Sequence, residues 1–208
     1  PAIVNRGYGK TFFWDGRAKS LEQQALEPIL NPKELGMTEA EAERRTGLKI
    51  VQITGALASY VRTIRSGDSR FDRYTAGNPR ALSDLEKRGM ELFRGKARCG
   101  NCHVGPNLTD ESFHNTGIAW QDGRLLDEGA GHGAFKVPTL REVARTAPYM
   151  HDGSLATLAD VVEYYDRGGN ANPDLDQDLH ALHLSAEEKR SLAAFLESLS
   201  GTILEGLH

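Results

Sequence analysis

The five residues "CGNCH" at 99–103 contain both cysteines of this 208-residue chain. Two thiols at this spacing lie about one helical turn apart, which lets them add to the two vinyl groups of one porphyrin. The next residue, His103, then falls beneath the metal as its proximal ligand. Cys99, Cys102 and His103 therefore predict a covalently attached haem c. A thiol redox pair of the same spacing belongs beside a strand–helix–strand pattern, and none is visible. A zinc site needs two more ligands at short spacing, which the remaining residues do not offer cleanly.

His103 needs a partner on the other face of the haem, or that position stays open. The sequence offers Met150, His151, Tyr165, His114 and His132. By chemistry alone Met150 is favoured, because a His/Met pair is common in electron transfer and raises the potential. The linkage between haem and cysteine is made outside the cytoplasm, so the motif also predicts a periplasmic protein. With both cysteines committed to haem, no disulfide is available for stability.

The elements that must hold these groups read as helical nearly throughout, and the expected fold class is all-α, cytochrome c-like, with long loops. Ser20 with Gln23, Ser83 with Glu86, and Ser185 with Glu188 are capping boxes that start helices. Thr38 and Thr157 open two more, and Gly47, Gly168–Gly169 and Gly201 close runs. Residues 48–65 carry Val51, Leu57, Ala58, Val61 and Ile64 at helical spacing. The helix from Ser83 runs into CGNCH and contains Gly89, which marks a close approach to another backbone or a cofactor. Residues 66–82 read as a linker and 104–136 as a glycine-rich loop. The expected organisation is residues 1–80 as part of one haem domain and 81–208 as a second, cytochrome c-like one.

The net charge of −4 and the dispersed basic residues suggest no nucleic-acid partner. No apolar run approaches the roughly 20 residues of a membrane helix. The chain begins with Pro1 in what reads as the middle of a loop, so an upstream segment is expected.

Three stretches besides CGNCH carry a resemblance: "FFWDGRAKSLEQQALEPILNPKELGM", "GAFKVPTLREVARTAPYMHDGSLATL" and "VVEYYDRGG". Their order and spacing resemble the di-haem cytochrome c peroxidase and MauG superfamily over nearly the whole chain. In that family two domains each carry a C-x-x-C-H, the first upstream of "FWDGR"; the resemblance implies two haems in the intact protein and one on this chain. It implies that Trp14 lies between the haems as an electron relay. Gln24 and Glu34 match polar residues on the distal side of the N-terminal, peroxide-binding haem, where a carboxylate can move a proton between peroxide oxygens. Thr146 and Pro148 match positions whose carbonyls bind Ca²⁺, a hard ion suited to oxygen ligands.

The resemblance also bears on the second axial ligand. The ordinary peroxidases keep a methionine on the helix after the "PY-x-H-x-G" turn, and the MauG branch has a tyrosine there. This chain has Tyr165. The resemblance thus implies a MauG-type enzyme that uses peroxide to oxidise a side chain of a partner protein. The alternatives are an ordinary peroxidase supplied with electrons by a small redox protein, and a mono-haem electron carrier. The surface tryptophan that precedes the second haem motif of MauG has no counterpart in "GKARCG".

Overall fold

A computed structural model describes residues 2–206. Among them are seven α-helices: α1 (Leu21–Leu30), α2 (Glu39–Thr46), α3 (Ile50–Thr63), α4 (Arg70–Thr75), α5 (Asp84–Arg94), α6 (Leu158–Asp166) and α7 (Ala186–Glu197). Their starts follow side-chain chemistry that reaches only three residues. Ser83 Oγ accepts from the Glu86 N–H, and the Glu86 carboxylate accepts from the Ser83 N–H at 2.7 Å. The same reciprocal pair opens α6 at Thr157 and Asp160, and α7 at Ser185 and Glu188. Helix α1 runs through Pro28 to Leu30 rather than stopping at the proline.

The all-α expectation is corrected by six short strands among the described residues. β1 (Arg65–Gly67) pairs antiparallel with β6 (Thr202–Leu204), β2 (Phe113–His114) with β5 (Phe135–Lys136), and β3 (Trp120–Gln121) with β4 (Arg124–Leu125). The architecture is mixed, helices with small antiparallel ribbons. Ladders of two or three residues are too short to show period-2 alternation, so the pattern carried little trace of them. One trace was present. Asp122 and Gly123 both have positive φ, at 50° and 75°, the turn that Asp-Gly favours between two hairpin strands.

Segment 66–82, expected as a linker, is structured and tied down. Asp72 caps α4 through Ser69 and also accepts from Arg141 Nη1 at 2.7 Å. Glu142, 1 % exposed, accepts from the Ser66 hydroxyl and from the Gly201 N–H. These bonds bind the middle of the chain to its last strand.

The main core lies where α5 crosses α7. Phe93 and Phe195 meet edge-on with centroids 5.2 Å apart, and Phe71 meets Phe195 at 5.5 Å. Gly89 permits the crossing: a Cβ there would sit 1.9 Å from the Ser191 carbonyl oxygen. The glycine thus marks a helix–helix contact. A smaller cluster of Phe12, Ala18, Leu21 and Ala58 joins α1 to α3.

Candidate haem site

The C-terminus of α5 delivers the chain into a single 3₁₀ turn at Cys99–Asn101. Arg98 takes a left-handed φ of 54°, and the His103 N–H bonds back to the Cys99 carbonyl at 3.0 Å. This local fold sets Cys99, Cys102 and His103 on the wall of one cavity. Both cysteines are free thiols. Burial pushes Cys99 up to about 12 and Cys102 up to about 11, Cys102 also by the carboxylates of Asp110, Asp176 and Asp178.

His103 is held from behind. Its Nδ1 lies 2.9 Å from the Leu108 carbonyl, which can only accept. Nδ1 therefore carries the proton and Nε2 keeps its lone pair, the tautomer a metal-binding imidazole needs. Burial holds this histidine below its ordinary value, against the pull of the Leu108 carbonyl. It stays neutral and available as a ligand.

Helix α6 forms the facing wall. Consecutive residues on a helix point about 100° apart, and the two tyrosines divide accordingly. Tyr164 is 2 % exposed; its hydroxyl donates to the Thr116 carbonyl at 2.8 Å and accepts from the Asn170 N–H at 3.2 Å. Gly117 allows this tight packing, since a Cβ there would meet the Asn170 carbonyl at 2.3 Å. Tyr165 lines the same cavity as His103, and its hydroxyl has no hydrogen bond among the described residues. Burial strongly raises the Tyr165 phenol, with Tyr164 and the two cysteines adding to it. The phenolate would need a cation beside it.

The other candidate ligands are placed as follows. Met150 lines the same cavity with a positive φ of 71°. His151 also lines it, stacked on Phe135 with ring centroids 3.6 Å apart. His114 has both nitrogens engaged, Nε2 with Ser112 Oγ at 2.6 Å and Nδ1 with Asp176 at 2.5 Å. His132 is exposed beside Asp174, off the cavity wall.

The cavity fits a haem by its chemistry. Its walls are apolar, including Phe93, Val137, Leu140, Val162 and Leu196, with two thiols and one lone-pair nitrogen at fixed places. The cavity is open on one side and has a volume of about 240 Å³, more than a lone metal ion needs.

A second cavity adjoins it. The two share Trp14, Lys136, Tyr149 and Met150, among others, while neither cysteine reaches the second. Trp14 stands in the shared wall, and its carbonyl accepts from the Lys136 N–H at 2.8 Å. Thr146 and Pro148 line the second cavity, and neither carbonyl accepts a hydrogen bond among the described residues. Gln24 is half-buried on α1, and exposed Glu34 accepts from Asn31 at 2.8 Å; neither borders a cavity described above.

The family model for di-haem cytochrome c peroxidase matches residues 1–49. The methylamine utilization protein MauG of Methylophilus methylotrophus is 34% identical over 99% of this chain and 68% of its own length. The chain belongs to the di-haem cytochrome c peroxidase and MauG family. MauG of Methylorubrum extorquens is 38% identical, with 96% of this chain aligned to 63% of the relative. The cytochrome c551 peroxidase of Nitrosomonas europaea is 34% identical, covering 97% of this chain and 65% of the relative. This family member thus spans about two thirds of the length of its curated relatives. A crystal structure of a MauG-like protein associated with microbial copper homeostasis superposes with a TM-score of 0.85 at 32% identity, over 97% of this chain.

Sequence reasoning missed the buried charges beside Trp14. Arg6, Glu111 and Lys136 come from three separate segments and converge there. The visible signal was a lysine inside the apolar run "GAFKVP".

Proposed function

We propose that this chain holds one haem c through Cys99 and Cys102, with His103 and Tyr165 as axial ligands. It serves as the C-terminal, charge-sharing part of a periplasmic di-haem enzyme of the MauG type, in which residues 1–80 complete the peroxide-reacting domain. Peroxide is the oxidant, and a side chain of a partner protein is the substrate. The observation that carries the reading is the division of labour on α6. The Tyr164 hydroxyl is bonded to protein, while the Tyr165 hydroxyl faces the cavity of His103 without a protein partner among the described residues.

Haem c supplies reversible one-electron chemistry at its iron when bound. His103 keeps its proton on Nδ1 and presents Nε2. Tyr165 offers a hard, anionic oxygen that lowers the potential and favours the oxidised iron. That suits a haem that stores oxidising equivalents better than one that collects electrons from a donor. Trp14, in the wall between the two cavities, relays charge toward the N-terminal side. Thr146 and Pro148 offer carbonyl oxygens to a Ca²⁺. Among the described residues no helix is long and apolar enough to cross a membrane.

An ordinary di-haem peroxidase is the second reading, and Met150 on the same cavity wall is what favours it. Replacing Tyr165 by Phe separates the two. A changed ferric spin state, with Tyr164→Phe unchanged, supports Tyr165 as ligand. An unchanged spectrum, or sulfur on the iron, removes the MauG-type reading. A preparation proven to contain only these 208 residues should show little peroxide turnover; full activity would remove the di-haem mechanism.

A further inference from the structure

Arg6, Glu111 and Lys136 form a buried group in which Lys136 lines both cavities, Arg6 lines the second, and Glu111 stands behind Arg6. Arg6 Nη1 pairs with the Glu111 carboxylate at 2.5 Å, and the backbone N–H of Lys10 donates to the same carboxylate at 2.8 Å. Lys136 is 2 % exposed. Its ammonium donates to the neutral Thr11 carbonyl and sits 5.8 Å from the centre of the Phe12 ring. It forms no ion pair with a carboxylate among the described residues. The group therefore holds two cations and one anion, and an unmatched buried charge is costly.

Burial pushes Lys136 down to about 8, with Arg6 acting in the same direction and Glu111 and Asp15 opposing. The titratable groups on the other walls of the second cavity are Tyr149, His151 and Asp152. Arg6 and Lys136 both line the second cavity, which touches the first along Trp14 but includes neither cysteine. A porphyrin tied by its vinyl edge to Cys99 and Cys102 directs its carboxylates away from that edge. We infer that Lys136, with Arg6 beside it, is the anchor for a carboxylate of the bound haem, entering along the Trp14 wall. A haem propionate supplies the missing negative charge, and the ammonium keeps that carboxylate ionised. Lys136 is thus a positioning residue that sets the electrostatics of the haem edge next to the relay tryptophan.

The inference rests on the haem c reading above, so covalent haem is quantified first on the purified full chain. Absence of covalent haem overturns both readings. With haem present, the propionate bending band in resonance Raman spectra and the midpoint potential are followed between about pH 5 and 8, the range into which loss of a neighbouring cation moves a buried carboxylate. The wild-type band and potential should stay flat. In Lys136→Met the band should shift and the potential should fall as pH rises, because the propionate now ionises within the window. Lys136→Arg should restore the flat profile. A haem-loaded Lys136→Met with wild-type band and profile overturns the inference. If that variant does not accumulate, a wild-type propionate band that titrates in this window overturns it equally. Added acetate that alters the wild-type band would show that a solution anion holds the site instead, and the inference would fall on that result too.

Discussion

The α5–α6–α7 region and the α1–α3 region are built from similar helices, yet they close differently. Among the described residues, fourteen buried side chains form the core around α5 and α7, beside the cavity of Cys99, Cys102 and His103. Four buried residues, Phe12, Ala18, Leu21 and Ala58, hold α1 to α3. Large apolar side chains on the surface follow the reverse order. Val51 is 70 % exposed and Leu35 59 %, and Ile3, Tyr8, Leu48, Leu57 and Tyr60 are exposed with them. These exposed side chains are spread over the loops and more than one side of α3 rather than gathered in the core. One region has a large core of its own; the other has a small one and more exposed apolar side chains. This difference fits the proposed roles of a haem-holding part and a part that completes a second haem domain.

The largest effect expected on this contrast comes from Cys99→Ala or Cys102→Ala. Either should reduce covalent haem to a single linkage, and the double variant should release the colour into acid–acetone. Retention of colour by the double variant breaks the assignment of the first region.

Glycine substitutions test the packing difference directly. Gly89→Ala forces a methyl group into the Ser191 backbone, which neither helix can move cheaply. It should cost about 3 kcal/mol or more in chemical denaturation. Gly55→Ala, on α3, meets nothing within 4 Å. It should stabilise by up to about 1 kcal/mol through helix propensity. Equal costs at both positions would erase the contrast.

The tyrosine pair sharpens it within one helix. Tyr164→Phe leaves the Asn170 N–H and the Thr116 carbonyl unpaired and should destabilise by about 1–3 kcal/mol, with the haem spectrum unchanged. Tyr165→Phe should change the ferric spin state at little cost in stability, and Tyr165→Met should raise the reduction potential, because a neutral thioether favours ferrous iron. A spectral change in Tyr164→Phe instead would reverse the roles.

A smaller effect joins the two regions through α4. Burial raises the Asp72 carboxyl, but hydrogen bonds from Ser69 and the Arg141 guanidinium outweigh it and hold the group below its ordinary value. A carboxyl lowered on folding adds stability above its unfolded value of about 3.9, lost as pH falls through the folded value. Asp72→Asn should therefore flatten the acid limb of a stability–pH curve. An unaltered limb would show that Asp72 contributes nothing there. The smallest effect is expected at Val51→Ser, within about 0.5 kcal/mol of wild type in denaturation, since that side chain is exposed.

Helix starts were legible because a cap is chemistry within three residues: Ser83 with Glu86 and Ser185 with Glu188 read correctly from the letters. CGNCH was legible as a motif for the same reason, since its spacing lies within five residues, and its haem role stands as a proposal. The short ribbons were not legible. β2 and β5 set Phe113 opposite Lys136 and His114 opposite Phe135, two rungs that a long glycine-rich loop separates along the chain. The linker reading of 66–82 failed for a similar reason. Asp72 looks like a turn residue until Arg141, 69 positions away, arrives beside it.

By itself the sequence determined where helices begin and that two thiols are followed at fixed spacing by a histidine, because covalent spacing and neighbouring backbone bonds settle those matters. It also narrowed the opposing ligand to a few residues without ranking Tyr164 and Tyr165 by their surroundings. Only the tertiary structure decided that Tyr164 is bound to Thr116, 48 residues away, while Tyr165 meets the cavity. Only the tertiary structure brought Lys136 to Thr11 across 125 residues and left a buried cation at the edge of the site. A side chain's charge balance and burial depend on every segment packed around it, and those segments meet only when the chain folds.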